Sequence, residues 1–354
     1  MTENKSEASP KKARETAKPT LFVGIDLGTS RTAISCSNGQ RFDLSSYVGK
    51  PKDSVSEKLF GKRLLFGEEA QANRMALKLF RPLEKGVIKA DGPDKEENLE
   101  AVRALLKHTI SLVGPSKDDV IYGVIGAPAR ANLENKKAIV EAARGLLAGV
   151  MITSEPFLVA YGMDVLADAL IVDIGAGTTD LCRMHGTFPE DDDQVTNSFA
   201  GDHVDQTLFD LLKKSYPEAQ FTVNMLKQLK ERHGYVSEKS EKVEVELPVN
   251  GRPKRFDIAG ELQKACRSIV PEMMSGVHKL IGSFDPEFQA KLRGNVIVAG
   301  GGSQMYGLRQ MIEQGLHELG GGKVRIVDEP VYAGANGGLK IAREMPAEYW
   351  EYRT

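Results

Sequence analysis

Cysteine is scarce in this chain: Cys36, Cys182 and Cys266 are the three among 354 residues. Their odd number and wide spacing argue against a disulfide framework or a thiolate metal site, and for small buried hydrophobes in a reducing compartment. Aromatic residues make up 6% of the chain and include one tryptophan. No apolar run approaches the roughly 18 residues that a membrane-spanning helix needs. Net charge is almost missing as well, at −2 from 47 basic and 49 acidic residues. That balance excludes a protein held to nucleic acid by bulk charge. The N-terminus is charged but has no apolar h-region, so no signal peptide is expected and a cytoplasmic protein is. The six histidines show no ligand spacing. The phosphate loop G-x-x-x-x-G-K-[ST] is also absent.

What the chain has in excess is glycine: 35 residues, against about 25 for an average chain of this length. Hydrophobic residues make up 41%, enough to bury the cores of two domains. Residues 1–19 are polar, carry five basic side chains against three acidic ones and lack Leu, Ile, Val and Phe. They read as a solvated tail, because an amphipathic docking helix needs an apolar face. Beyond them, strands are expected at Leu21–Asp26, Thr32–Ser37, Val120–Ile125 and Val150–Ile152. Helices are expected at Glu97–Val113, with Leu99, Val102, Leu105, Leu106 and Ile110 on one face, and from an Asn132 cap to Gly149. Arg74, Met75, Leu77, Leu79 and Phe80 read as a further helical segment. The second half repeats the plan, with strands at Ala169–Asp173, Thr179–Met184, Asn295–Val298 and Lys323–Val327 and a helix over Met305–Leu319. Between them, residues 201–260 hold two helices and a strand at Val243–Leu247. Glu190–Asp193 reads as a solvated hairpin loop. The chain is therefore two related α/β halves, each with an insertion.

Two glycine turns occupy matching places in these halves: GIDLGTS, residues 24–30, and DIGAGTTD, residues 173–180. Each puts an aspartate at a strand end, then an apolar residue, a glycine, and small or hydroxyl residues before the next strand. This suits a nucleoside triphosphate. Gly28, Gly175 and Gly177 allow close backbone approach, so amide N–H groups and the hydroxyls of Thr29, Ser30, Thr178 and Thr179 can hold phosphate oxygens. Asp26 and Asp173 would face the phosphates and can hold Mg²⁺ largely through water. The second turn lacks the third glycine of a dinucleotide fingerprint.

These turns resemble those of the actin, Hsp70 and sugar-kinase superfamily, and other segments of that superfamily follow in order. Thr153-Ser154-Glu155-Pro156 resembles the first connecting segment. Gly300, Gly301, Gly302 and Ser303 follow a strand as the adenosine turn does. Ala333–Leu339 resembles the second connecting segment. Within the superfamily, Lys230 and Glu231 resemble the actin helix beside the adenine and ribose, and Gly201 and Asp202 resemble a further actin segment bordering the nucleotide. Ala33 and Ala176 stand where eukaryotic actins carry a lysine and an aspartate, as in bacterial actins. Val48–Asp53, Val124–Ala131, Ser283–Gln289 and Met345–Trp350 resemble the magnetosome-associated branch of bacterial actin-like filament proteins.

The resemblance implies an actin-like ATPase fold of two RNase H-like α/β lobes with the nucleotide between them. Its subdomains would be 20–46, 93–154 and 340–354; an insertion 47–92; 155–198 and 260–339; and an insertion 199–259. It implies ATP and Mg²⁺ as cofactors, and head-to-tail filaments of the chain itself, turned over by hydrolysis along a magnetosome chain. Magnetosome-associated adaptors are then possible partners, with neither nucleic acid nor membrane insertion. Glu155, at a helix start, is the candidate that orients the attacking water, with Asp173 beside it and Thr179 and Asp180 as relay candidates. A small-molecule kinase of the same superfamily is the alternative; it needs a general-base aspartate aimed at a substrate hydroxyl. An Hsp70-like chaperone would need a peptide-binding domain beyond the second connecting segment. Eleven glycines are expected to border the cleft: Gly28, Gly175, Gly177, Gly201, Gly300, Gly301, Gly302, Gly307, Gly334, Gly337 and Gly338.

Overall fold

The computed structural model describes residues 18–89, 95–238, 242–346, 348 and 350. The tail reading for residues 1–17, and Ala347 and Tyr349 of the C-terminal match, fall outside them. In the first half, β1 (Thr20–Leu27), β2 (Arg31–Cys36) and β3 (Arg41–Ser45) form an antiparallel meander. An insertion follows: β4 (Val48–Pro51), α1 (Ser54–Phe60), β5 (Leu65–Phe66), α2 (Gly67–Ala72), β6 (Leu77–Phe80), and a small hairpin of β7 (Leu83–Glu84) and β8 (Val87–Ile88). The chain returns through α3 (Lys95–Leu112), β9 (Val120–Ala127), α4 (Leu133–Ala143), β10 (Gly149–Ser154) and α5 (Glu155–Gly162). The sheet order is β10-β9-β1-β2-β3, with β1, β9 and β10 parallel.

The second half repeats this topology. β11 (Ala167–Ile174), β12 (Thr179–His185) and β13 (Gln194–Asn197) form the meander. The insertion holds α6 (Gly201–Ser215), α7 (Val223–His233) and a hairpin of β14 (Glu244–Val249) and β15 (Arg252–Asp257). Then come α8 (Ala259–Arg267), α9 (Val270–Gly282), α10 (Pro286–Arg293), β16 (Val296–Ala299), α11 (Leu308–Gly315), β17 (Val324–Ile326) and α12 (Ala333–Glu344). The sheet order is β13-β12-β11-β16-β17, with β11, β16 and β17 parallel. Each half has its own core. A third cluster, including Val124, Leu158, Ile171, Cys182, Ile297 and Trp350, lies where the halves meet.

Several sequence expectations need correction. α4 starts at its Asn132 cap, whose Oδ1 accepts the Asn135 N–H at 2.8 Å, but it stops at Ala143; Arg144 leaves the helical region at ψ 125°. Leu77–Phe80 is a strand, paired antiparallel with β4 after a single 3₁₀ turn at Arg74–Ala76. Leu77 and Leu79 share one face by period two and pack into a small core with Leu65 and Ala70. Met305–Leu319 is broken into α11 and a 3₁₀ turn at Leu316–Leu319. Glu190, Asp191 and Asp192 are exposed as expected, whereas Asp193 is buried, accepting from Arg183 Nε at 2.6 Å. β15 was not expected, because Arg252–Asp257 has no apolar alternation and buries only Phe256. The Asn250-Gly251 turn between β14 and β15, both residues at positive φ, is the signal that marks it. All three cysteines are free and buried.

Candidate functional site

Asp26 and Asp173 occupy the same topological position. Each is the last residue of its strand in register with the parallel neighbour, Asp26 opposite Gly126 and Asp173 opposite Ala299. Both therefore stand at the carboxyl ends of parallel strands, where open α/β sheets bind ligands. After Asp26 the chain turns tightly: Gly28 N–H donates to Arg31 O at 3.1 Å, and Ser46 Oγ donates to Gly28 O at 2.7 Å. The second turn closes in the same way, Gly175 N–H donating to Thr178 O at 2.9 Å. Its carbonyls at Gly175 and Ala176 accept from the N–H groups of Gly201 and Asp202 at 3.1 and 2.7 Å, locking it to the start of α6. The two turns also touch. A Cβ on Gly177 would lie 2.5 Å from Thr29 Oγ1 and 2.8 Å from Lys85 Cα. The β7–β8 hairpin crosses them there, Gly86 N–H donating to Thr29 Oγ1 at 2.7 Å.

The turns wall a cavity of about 670 Å³ between the halves, and the sequence-derived site residues line it except Thr179, Asp180 and Ser303. The structure turns all three inward. Thr179 is fully buried, and its Oγ1 donates to Phe199 O at 2.7 Å. Ser303 is fully buried, and its Oγ donates to Gly300 O at 2.7 Å, closing a 3₁₀ turn over Gly301–Gln304. Asp180 is also spent inward, its Oδ1 accepting from Ala129 N at 2.8 Å and Thr196 Oγ1 at 2.5 Å. Four of the eleven glycines are not on the cavity wall. Gly307 packs on Ser237, and Gly334, Gly337 and Gly338 lie in α12 against Asp26, Leu158 and Gly24.

The three glycines at 300–302 do different things. Gly300 has φ 73°, and a Cβ there would meet Asp173 Oδ1 at 2.3 Å; one on Gly302 would meet Ile174 Cγ2 at the same distance. Both seat the turn on the end of β11. A Cβ on Gly301 meets nothing within 4 Å, and the residue lines the cavity. Gly301→Phe should therefore fold normally while filling the cavity, weakening nucleotide binding at least about tenfold by equilibrium titration. Unchanged affinity would remove Gly301 from the binding wall.

Four carboxylates gather below the turns. Burial pushes Asp26 up to about 6. Glu155 is raised well above the ordinary carboxylate range by burial, then by the charges of Asp26, Asp180 and Asp173. Asp173 is raised by burial, then by Asp26 and Asp180. Asp180 is raised by burial, partly offset by its hydrogen bonds to Thr196, Thr178 and Ala129. The nucleotide-free cluster thus keeps protons that the unfolded chain releases near pH 4. Its contribution to stability is fully present below that pH and is lost as pH rises through the raised values, about 6 for Asp26. Urea melts of nucleotide-free wild type and Asp26→Asn should show wild type losing ground between pH 4 and 7. The loss should be on the order of 1 kcal/mol per unit of raised pKa, and a constant gap would contradict it.

Such a cluster suits a cation. Among the described residues no three His, Cys, Asp or Glu side chains converge closely enough to ligate a metal directly. Asp26 and Asp173 put two hard carboxylate donors on the cavity wall, a donor set that fits an ion keeping most of its own water.

Two basic residues that the sequence did not single out, Arg81 and Lys227, also reach the first turn. Arg81 Nη2 bonds both oxygens of Asp202 at 2.8 Å, and its Nε donates to Thr29 O at 3.2 Å, so the first insertion reaches across to α6. Lys230 is held by Asp205 at 2.8 Å and donates to Gly201 O at 3.0 Å. Lys227, one helical turn before Lys230 and Glu231, lines the same wall. The i, i+3, i+4 spacing from those two residues is the signal that points to it.

The MreB/Mbl protein family model matches residues 20–348. The actin-like protein MamK of Paramagnetospirillum magneticum (strain ATCC 700264 / AMB-1) is 39% identical over 334 residues, covering 94% of this chain and 95% of that protein. A MamK double helical filament subunit superposes with a TM-score of 0.89 at 38% identity, covering 92% of this chain and all of that one. A non-polymerising MamK mutant bound to AMPPNP, also 38% identical over the same shares, gives a TM-score of 0.70.

Proposed function

The chain belongs to the MreB/Mbl family of actin-like proteins, and from that membership we propose a cytoskeletal ATPase that polymerises head to tail into dynamic filaments. The observation that carries this reading is the likeness, along nearly its whole described length, to the subunit of a MamK filament. Head-to-tail contact is heterologous and does not close on itself, so it yields filaments instead of rings. The nucleotide occupies the cavity between the halves, with its phosphates on the two glycine turns and its nucleoside toward Gly301, Met305 and Tyr306. Asp26 and Asp173 are the residues that would hold Mg²⁺, which when bound would offset phosphate charge. Glu155 orients the attacking water and takes its proton as the bond to the ADP oxygen breaks, leaving ADP and phosphate. Hydrolysis then loosens contacts between subunits and permits turnover.

Among the described residues no helix is long and apolar enough to cross a membrane. In the cell the filaments run in the cytoplasm along the magnetosome chain, joined to it by adaptor proteins. Sedimentation and negative-stain microscopy with Mg-ATP and with ADP test the proposal: pelleted filaments with ATP are expected. A protein that stays monomeric over a wide concentration range would defeat it.

A further inference from the structure

The cations beside the phosphate turns are compensated unevenly. Lys230 meets Asp205 at 2.8 Å, Arg81 meets Asp202 at 2.8 Å, and Arg31 pairs with Asp43. Among the described residues the nearest carboxylate to Lys227 is that of Glu231, at the longer distance of 3.9 Å. The Lys227 side chain is 16% exposed. Its ammonium bonds Ser30 Oγ, a neutral hydroxyl, and the Glu231 side chain is 54% exposed. Burial holds its pKa below the usual lysine value, and the neighbouring Arg81 and Lys230 charges lower it further, against a raising effect from Glu231 and Asp205. A charge so desolvated is costly unless an anion meets it.

The place where an anion would arrive is also specified. Ser30 ends the first glycine turn, on the first half of the molecule, whereas Lys227 stands on α7 in the insertion of the second. The lysine therefore crosses the cleft to touch the turn. We infer that Lys227 is a phosphate ligand supplied from the opposite half, its ammonium exchanging the Ser30 hydroxyl for a phosphate oxygen of bound nucleotide and so joining the halves through the ligand. No bond is made or broken in this exchange. The inference rests on reading the cavity as a nucleotide site.

The test compares ATP, ADP and adenosine binding to full-length wild type, Lys227→Met and Lys227→Arg by equilibrium titration. Lys227→Met should weaken ATP and ADP at least about tenfold, the scale of a charge-assisted hydrogen bond, and change adenosine by no more than about twofold. Lys227→Arg should keep ATP within a few-fold of wild type. Equal losses for ATP and adenosine, or no loss for ATP, would overturn the assignment. A second measurement needs no variant: ATP should shield Lys227 of the wild type from acetylation, read by mass spectrometry, and adenosine should not. Equal labelling with either ligand would also overturn it. Wild type that fails to prefer ATP over adenosine would instead strike the nucleotide reading itself, and this inference with it.

Discussion

Glu155→Ala should bind ATP and assemble while losing phosphate release by on the order of 10²- to 10⁴-fold, the range for removing a group that positions and deprotonates the nucleophile. The expectation comes from where the chain places this side chain. β10 ends at Ser154 and α5 begins at Glu155 with Pro156 next, which fits a residue free of helical hydrogen-bonding demands. The carboxylate lines the cavity with Asp26 and Asp173. Opposite it is Gly126, where a Cβ would come within 3.2 Å of Glu155 Cγ. Burial and three neighbouring carboxylates raise its pKa well above the usual value, the direction that makes a carboxylate a better base once ionised. Glu155→Gln keeps the shape and removes the charge. Because burial and then its neighbours oppose ionisation of Glu155, the isosteric Glu155→Gln should be at least as stable as wild type at neutral pH, so its lost hydrolysis would not reflect unfolding. Phosphate release and pelleting measured in the same sample decide the matter. Normal release from either variant would strip Glu155 of its role, and failure to pellet would assign it to assembly instead.

The parts of this site that were legible in the sequence are those where backbone and chemistry make the same demand. Asp26-x-Gly28 and Asp173-x-Gly175 stand between apolar strand pairs, and both the turn and the phosphate reading follow from one pattern. Chemistry alone does not separate side chains on the cavity wall from those buried behind it. Thr178 and Thr179 both carry hydroxyls, but neighbouring residues at a strand start point to opposite sides; Thr178 lines the cavity and Thr179 is buried against Phe199. Ser303 follows three glycines in a 3₁₀ turn, and its hydroxyl closes that turn. Long-range approach was the other blind spot. Arg81 and Lys227 lie far along the chain from the turns they touch, and only the packing of the two insertions over the cleft brings them there.

Gly337→Ala should remove more than about 4 kcal/mol of stability, beyond the usual range for a single methyl group, although the residue was first read as part of a nucleotide cleft. It lies inside α12, where alanine is ordinarily the better helix former by about 1 kcal/mol. Local preference thus predicts a gain, and packing must reverse it. A Cβ at this position would sit 1.8 Å from the carbonyl oxygen of Leu158 in α5, and 2.6 Å from its carbonyl carbon. These are backbone atoms, so no rotamer change relieves the contact, and one helix must move off the other by more than an ångström. Neither is free to do so. A Cβ on Gly162 of α5 would meet the Gly337 Cα at 3.1 Å, and one on Gly338, the next residue, would meet the Cα of Gly24 in β1 at 3.0 Å. α5 runs directly out of Glu155 and α12 begins beside Asp26, so the helix crossing also carries the geometry of the carboxylate cluster. The variant should consequently lose both its folded yield and its nucleotide site. Gly301→Ala is the control, since its Cβ meets open space; it should melt within about 0.5 kcal/mol of wild type. Urea melts of the two variants side by side give the answer. A Gly337→Ala protein as stable as Gly301→Ala would mean that the two helices do not cross at this contact.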